Sequence, residues 1–134
     1  MNRFYRPGLL YPHLWFGICL LIATFIVVIC LMPARDVPDT GVSDKFIHVF
    51  SYTVLALCFA SILQRRRFLV LLVALAAFGG LIELAQAAMH LGRHAEWADL
   101  LADVVGSIAG IALAATPLAR LPDLLESTFR RVIA

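Results

Sequence analysis

Long apolar runs alternate with short polar segments along this chain. The first run, LWFGICLLIATFIVVICLM, covers residues 14–32 and carries no charge. At about 1.5 Å of rise per residue, it is long enough to cross a hydrocarbon core of about 30 Å. Three more runs follow at about 45–63, 68–91 and 97–116. The pattern predicts four transmembrane helices.

Polar character returns after the fourth run. Pro117 and Pro122 are expected to end the fourth helix, because proline cannot continue a helix interior. In the tail, residues 117–134, apolar side chains recur near helical spacing beside two arginines, which favours a short interfacial helix; a frayed, solvated tail is the alternative. The predicted fold class is therefore all-α: a single polytopic membrane domain over residues 1–134, with a four-helix transmembrane bundle and a short C-terminal interfacial helix.

Composition supports this fold class. Of the 134 residues, 62% are hydrophobic, and the mean hydropathy of +0.91 exceeds what a soluble domain of this size can bury. A cleaved signal peptide is the competing interpretation of the first run, since Arg3 and Arg6 form a basic leader, but the run is too long and no A-x-A pattern follows. The net charge of +2 is too small and too dispersed for a nucleic-acid surface, so no nucleic-acid partner is expected.

Basic residues are distributed unequally between the two sets of loops. With a cytoplasmic N-terminus, eight arginines lie inside and three basic residues outside, which predicts an inner-membrane, multi-pass protein with both termini in the cytoplasm. The RRR run at 65–67 is interpreted as a topology anchor, with an acidic-lipid site as the alternative. The inside set is Arg3, Arg6, Arg65, Arg66, Arg67, Arg120, Arg130 and Arg131, and the outside set is Arg35, Lys45 and Arg93.

Ionisable residues enter three of the predicted helices from the outer side. Such residues are costly in lipid and therefore face the bundle interior or a functional site. On each of these helices, two polar residues, at least one of them ionisable, stand three or four positions apart and so share one helix face. The candidate polar site consists of Asp44, Lys45, His48, Glu83, Gln86, Arg93, Asp99 and Asp103.

Small residues mark where helices can approach closely. Gly79 lies on the third helix, and Gly106 and Gly110 form a G-x-x-x-G stripe on the fourth. Because both sets adjoin the acidic residues, we expect the third and fourth helices to pack through them. Glu83 lies eight residues before the end of the third run and Asp103 six after the start of the fourth, so we expect both at one level below the outer surface.

The order and spacing of these motifs resemble the VanZ-like family of small bacterial membrane proteins. The resemblance extends over residues 14–116 and implies an association with resistance to the glycopeptide teicoplanin. Asp103 stands where relatives often carry Asn, which adds a negative charge in this chain. The segments that carry the resemblance are DKFIH at 44–48, GGLIELAQ at 79–86, Arg93, and EWADLLADVVGSIAG at 96–110.

Four classes of function are open from the sequence. The first is a protein that binds or modulates a cell-envelope component at an outward-facing polar site, where Lys45 and Arg93 would meet phosphate or carboxylate groups. The second is an intramembrane hydrolase or transferase acting on a lipid-linked cell-wall substrate. The third is a purely structural membrane protein whose polar side chains bond one another across helices. The fourth is a transporter, which the lack of an inverted repeat disfavours.

No cofactor follows from the sequence. Carboxylate and imidazole groups are ligand types for Zn²⁺, Mg²⁺ or Mn²⁺, yet there is no HExxH motif and no cysteine-based ligand spacing. Membrane lipids are the expected partners, together with a lipid-linked or cell-wall ligand on the outer face, and a homo-oligomer is left open. The candidate metal ligands are His48, Glu83, Asp99 and Asp103.

Overall fold

The computed structural model describes residues 4–33, 36, 41–89 and 96–133. Within these ranges the secondary structure is helical apart from one isolated β-bridge between Tyr5 and Leu63, which confirms the all-α prediction. The first four helices match the predicted spans to within three residues at each end. The helices are α1 (Pro12–Cys30), α2 (Asp44–Ile62), α3 (Phe68–Met89), α4 (Trp97–Leu113) and α5 (Leu121–Ile133), with 3-10 turns at Arg65–Arg67 and Pro117–Arg120.

Three of the helices, α1, α2 and α3, are long and apolar enough to cross a membrane. Helix α4 has 17 residues and meets this standard only together with the segment Pro117–Arg131, which is bent from it by 75°. Large apolar side chains on the outside of the helices agree with a lipid surrounding. Those more than 60% exposed include Leu21, Phe25, Leu69, Val70, Leu84 and Leu101. These features support a membrane protein.

The end of α4 differs from the predicted end at residue 116. Thr116 adopts an extended conformation, with φ −93° and ψ 171°, because the ring of Pro117 disfavours helical backbone at the preceding residue. The prediction that Pro122 helps to end the same helix is wrong. Pro122 lies in the first turn of α5, where its missing N–H leaves no helical hydrogen bond unmade.

Helix α2 forms the centre of the bundle. Its residues Tyr52, Leu55 and Ala56 are at most 1% exposed. Helix α1 packs against the core through Cys19 and Ile26, which are its two buried side chains. The core therefore follows α2, and the other helices surround it.

The glycine stripe of α4 packs against α2. A Cβ atom at Gly106 would overlap the carbonyl oxygen of Val49. One at Gly110 would overlap the carbonyl oxygen of Thr53, in the next turn of α2. Thr53 Oγ1 donates across the same contact to the Gly106 carbonyl oxygen (3.1 Å). The expected α3–α4 contact through Gly106 and Gly110 is therefore wrong, and Gly79 is the glycine that brings α3 close to α4.

The two ends of the bundle carry different polar groups. At one end, which we call the acidic end, α2 and α4 begin and α3 finishes. This end holds Asp44, Glu83, Glu96, Asp99 and Asp103. At the opposite end, which we call the basic end, α2 and α4 finish and α3 begins, beside the turn Arg65–Arg67. Helix α1 runs from the basic end to the acidic end. Just before it, the backbone N–H of Arg6 donates to the carbonyl oxygen of Ile62 at the end of α2 (2.9 Å).

The N-terminal segment and α5 are joined at the basic end. Glu126 accepts three hydrogen bonds from the chain around the start of α1, and Arg6 pairs with Asp123 (2.6 Å). The donors to Glu126 are Leu10 N (2.9 Å), Tyr11 N (3.0 Å) and Trp15 Nε1 (2.8 Å). The tail is thus an attached helix, and the frayed alternative is wrong for α5.

Candidate functional site

His48 and Asp103 form a buried pair at the acidic end. His48 Nδ1 lies 2.8 Å from Asp103 Oδ1, and the two residues are 5% and 1% exposed. A carboxylate only accepts hydrogen bonds, so Nδ1 carries the hydrogen and, in the neutral ring, Nε2 is left as an acceptor. The polar faces of the second and fourth helices therefore meet, as the helical spacing predicts.

Gly79 and Tyr52 lie around the same carboxylate. A Cβ atom added to Gly79 would overlap Asp103 Oδ2 and would lie 3.1 Å from the Tyr52 hydroxyl. Tyr52 is only 1% exposed, and its hydroxyl lies beside the Asp103 carboxylate. Helix α3 approaches Asp103 this closely because residue 79 has no side chain.

Lys45 bridges two carboxylates at the edge of the acidic end. Its Nζ lies 2.5 Å from Glu96 Oε2 and 2.6 Å from Asp99 Oδ1. Asp99 is buried, whereas the side chains of Lys45 and Glu96 are 43% and 55% exposed. Two carboxylates therefore engage the Lys45 ammonium group.

Glu83 is a buried carboxylate that binds the start of α4. Its Oε2 accepts a hydrogen bond from the backbone N–H of Glu96 (2.8 Å), and the residue is 6% exposed. The N–H groups at a helix start have no partner within the helix, so this bond stabilises the beginning of α4. The other oxygen, Oε1, is buried and has no hydrogen-bond partner among the described residues.

Gln86 lies on the same face of α3 as Glu83 but makes a different contact. Its Nε2 donates to the carbonyl oxygen of Cys30 (2.8 Å), in the last turn of α1. Carbonyl groups in the last turn of a helix lack donors within the helix, and the Gln86 amide is a donor for one of them. Gln86 therefore attaches α3 to α1 and does not join the carboxylates.

Three side chains offer ligand atoms that converge. One atom each of Asp44, His48 and Asp99 lies within 4.8 Å of the other two. Oxygen and imidazole nitrogen ligands at such separations suit a divalent cation of the Zn²⁺ or Mn²⁺ type. Two of the predicted metal ligands are outside this group, because Asp103 bonds to His48 and Glu83 bonds to the start of α4.

Two cavities adjoin these residues. The smaller, about 150 Å³, is lined by Asp44, His48 and Tyr52 together with apolar side chains of α1. The larger, about 510 Å³, is an apolar groove between α3 and α4 that Glu83 and Glu96 also line. The other residues of this groove are Ala77, Gly80, Leu81, Leu84, Trp97 and Leu100. The acidic end is thus continuous with an apolar groove.

Arg93, a predicted site residue, lies outside the described residues. Glu96 lies at the site although the sequence reasoning did not select it. Its signal is its position just before the fourth apolar run, three residues ahead of Asp99, where a helix is expected to start. Glu126 was also missed, because no motif links it to the distant N-terminal segment that it binds.

No family model, curated protein or solved structure matches this chain. The acidic end combines a buried His48–Asp103 pair, a lysine bridge at the edge and an adjoining apolar groove. It also holds Glu83, one oxygen of which has no partner among the described residues.

Proposed function

We propose that this chain is a VanZ-like integral membrane protein that binds or modulates a cell-envelope component at its acidic end. One observation carries the proposal: Asp44, Asp99 and Asp103 gather around His48 at one end of a bundle with an apolar exterior. Ionisable groups at membrane depth are costly, and helix packing alone requires no charge. Retaining several acids at one place favours a functional site.

The charges at this end favour a headgroup with hydroxyl or amino groups. Carboxylates outnumber cations among the described side chains of the acidic end, and the one lysine there, Lys45, is already engaged by two acids. Carboxylate oxygens accept hydrogen bonds from hydroxyl and ammonium groups and repel phosphate oxygens. We assign the first ligand contact to Glu83 Oε1, which is buried and has no donor in the described part of the chain.

The groove between α3 and α4 supports a lipid-linked ligand. Its volume of about 510 Å³ lies within the range of small-molecule sites, about 300–1,000 Å³. Apolar walls would hold hydrocarbon while Glu83 contacts the headgroup. Trp97 is 87% exposed at the start of α4, where an amphipathic ring suits the membrane interface.

We place the acidic end on the outer side of the inner membrane, with both termini in the cytoplasm. The support is that Arg6, Arg120 and the turn Arg65–Arg67 all lie at the opposite, basic end. Positive residues favour cytoplasmic loops. In this orientation the site meets envelope components, and a teicoplanin-related phenotype is the expectation that the family resemblance adds.

Carboxylate-to-amide variants test this function. Wild type, Glu83→Gln, Asp99→Asn and the control Asp36→Asn, which makes the same change at an exposed acid, are purified from bacterial membranes in mild detergent. The envelope molecules that each retains are identified by mass spectrometry. We expect wild type and the control to retain the same component, and the two acidic-end variants to retain about tenfold less, because each loses a charged hydrogen bond. Equal retention by all four proteins, with equal thermal stability, would favour the purely structural alternative.

A metal-dependent hydrolase or transferase is a second function, favoured by the converging ligand atoms of Asp44, His48 and Asp99. A bound divalent ion would activate water for attack on a lipid-linked substrate. Asp103 would hold His48 with Nε2 free to coordinate, as carboxylates do behind metal-binding histidines. Calorimetric titration of wild type and His48→Asn with Zn²⁺ and Mn²⁺ tests this function. Saturable binding lost in the variant is expected, and no binding to wild type would contradict it.

A further inference from the structure

We propose a second ligand site, in which an arginine-lined cavity at the basic end binds the phosphate of an anionic phospholipid. The cavity has a volume of about 590 Å³ and lies between the ends of α2 and α4 and the two 3-10 turns. It is at the opposite end of the bundle from the acidic residues. The lipid site shares the proposed orientation of the bundle but does not depend on the ligand proposed for the acidic end.

The charges that line this cavity are positive. Arg6, Arg65 and Arg120 come from three separate segments of the chain, and no carboxylate is among the described lining residues. Arg6 is paired with Asp123 (2.6 Å) and contributes to attaching α5. The side chains of Arg65 and Arg120 form no ion pair with the described residues. Two guanidinium groups that form no ion pair within the described chain therefore line one concave surface.

The shape and lining of the cavity suit the junction between a lipid headgroup and its acyl chains. Guanidinium groups bind phosphate oxygens through paired N–H donors. Leu63, Phe68 and Ala115 form apolar parts of the wall, beside the arginines. A volume of about 590 Å³ lies within the range of small-molecule sites, so the cavity has room for more than a phosphate ion.

The position of the cavity favours a lipid over a soluble anion. It lies where the apolar helix α2 ends and α3 begins, which is the depth expected for lipid phosphates. Exposed Leu121, Leu124 and Phe129 on α5 provide an apolar face for the membrane surface next to it. Basic pockets between membrane helices on the cytoplasmic side bind anionic headgroups.

The turn Arg65–Arg67 provides a matched control. Arg66 is exposed and adjacent to Arg65 but does not line the cavity. The guanidinium carbon of Arg67 lies 4.7 Å from the centre of the Phe4 ring, in a cation–π contact. Neutralising Arg65 or Arg66 changes the net charge equally, yet only the first change alters the cavity.

Native mass spectrometry of the full chain in neutral detergent tests the site. Phosphatidylglycerol, phosphatidylcholine and inorganic phosphate are titrated against wild type, Arg65→Gln, Arg120→Gln and Arg66→Gln. We expect one saturable site for phosphatidylglycerol in wild type, with much weaker retention of phosphatidylcholine. Arg65→Gln and Arg120→Gln should each weaken phosphatidylglycerol binding about tenfold through loss of a charge-assisted contact, and Arg66→Gln should leave it nearly unchanged.

Two results would overturn the proposal. Equal weakening by Arg65→Gln and Arg66→Gln would mean general attraction to a basic surface. Competition by inorganic phosphate at concentrations similar to those of the lipid would mean a site for the free anion. Thermal unfolding of each variant checks the fold, and Arg120→Lys, which keeps the charge but not the paired donors, should lose a smaller part of the affinity.

Discussion

His48 Nδ1 and Asp103 Oδ1 lie 2.8 Å apart and join α2 to α4 across 55 residues of sequence. Neither residue is more than 5% exposed. The contact is adjacent to the close packing of Gly106 on α2 and to the approach of Gly79 to Asp103. The pair therefore stands where three helices meet, and it links the polar site to the packing of the bundle.

Two replacements of Asp103 distinguish the contribution of its hydrogen bond to stability from that of its charge. Asp103→Asn keeps an acceptor for His48, whereas Asp103→Leu leaves a buried ring N–H without one, at a cost of about 1–3 kcal/mol. We expect the unfolding midpoint in detergent to change little for the Asn variant and to fall for the Leu variant. Equal midpoints for the two variants would show that the bond does not stabilise the fold.

Gly79 and Gly80 are adjacent but meet different surroundings. A Cβ atom at Gly79 would overlap Asp103, while one at Gly80 would meet nothing within 4 Å. We expect Gly79→Ala to destabilise the protein by about 1–3 kcal/mol through overpacking. Gly80→Ala should be neutral or slightly stabilising, because alanine favours helix. Chemical unfolding of the two variants measures the difference, and similar values would contradict the close approach of α3 to α4.

Glu126 makes the attachment of α5 sensitive to acid. Burial acts to raise the pKa of Glu126, but the three hydrogen bonds that its carboxylate accepts outweigh burial and hold the pKa below its ordinary value of 4.5. A lowered pKa in the folded state contributes stability that is complete above the unfolded value and is lost as pH falls through the folded value. Fluorescence of Trp15, measured with Trp97→Phe, should therefore change only below pH 4.5. The change should be absent in Glu126→Gln, and its persistence there would assign it to another group.

The orientation of the bundle is open to cysteine labelling. Val42, exposed before α2, and Arg66, exposed in the turn before α3, lie at opposite ends. Val42→Cys should react with a membrane-impermeant maleimide in intact cells with a permeabilised outer membrane, and Arg66→Cys only after the inner membrane is opened. The reverse pattern would invert the proposed topology. Each variant is made in a chain lacking Cys19, Cys30 and Cys58.

The helices were predictable because long apolar runs have few alternatives in a membrane. Their boundaries agree with the structure to within three residues, and the largest difference is at the end of α4, shortly before Pro117. The acidic stripes were also predictable, because residues three or four apart share a helix face. The helix that packs against the glycine stripe was not predictable. Gly106 and Gly110 indicate a face of small residues without indicating which helix covers it.

The amino-acid sequence by itself determined the helical class, the approximate helix boundaries and the end of the bundle at which the acids gather, because these depend on local hydropathy and on helix periodicity. Only the tertiary structure decided that Asp103 pairs with His48, that Lys45 is engaged by Glu96 and Asp99, and that Gln86 binds α1. Those contacts join residues about fifty positions apart. They depend on the rotation of each helix about its axis and on its depth relative to its neighbours, which the packing of whole side-chain surfaces sets and no local pattern encodes.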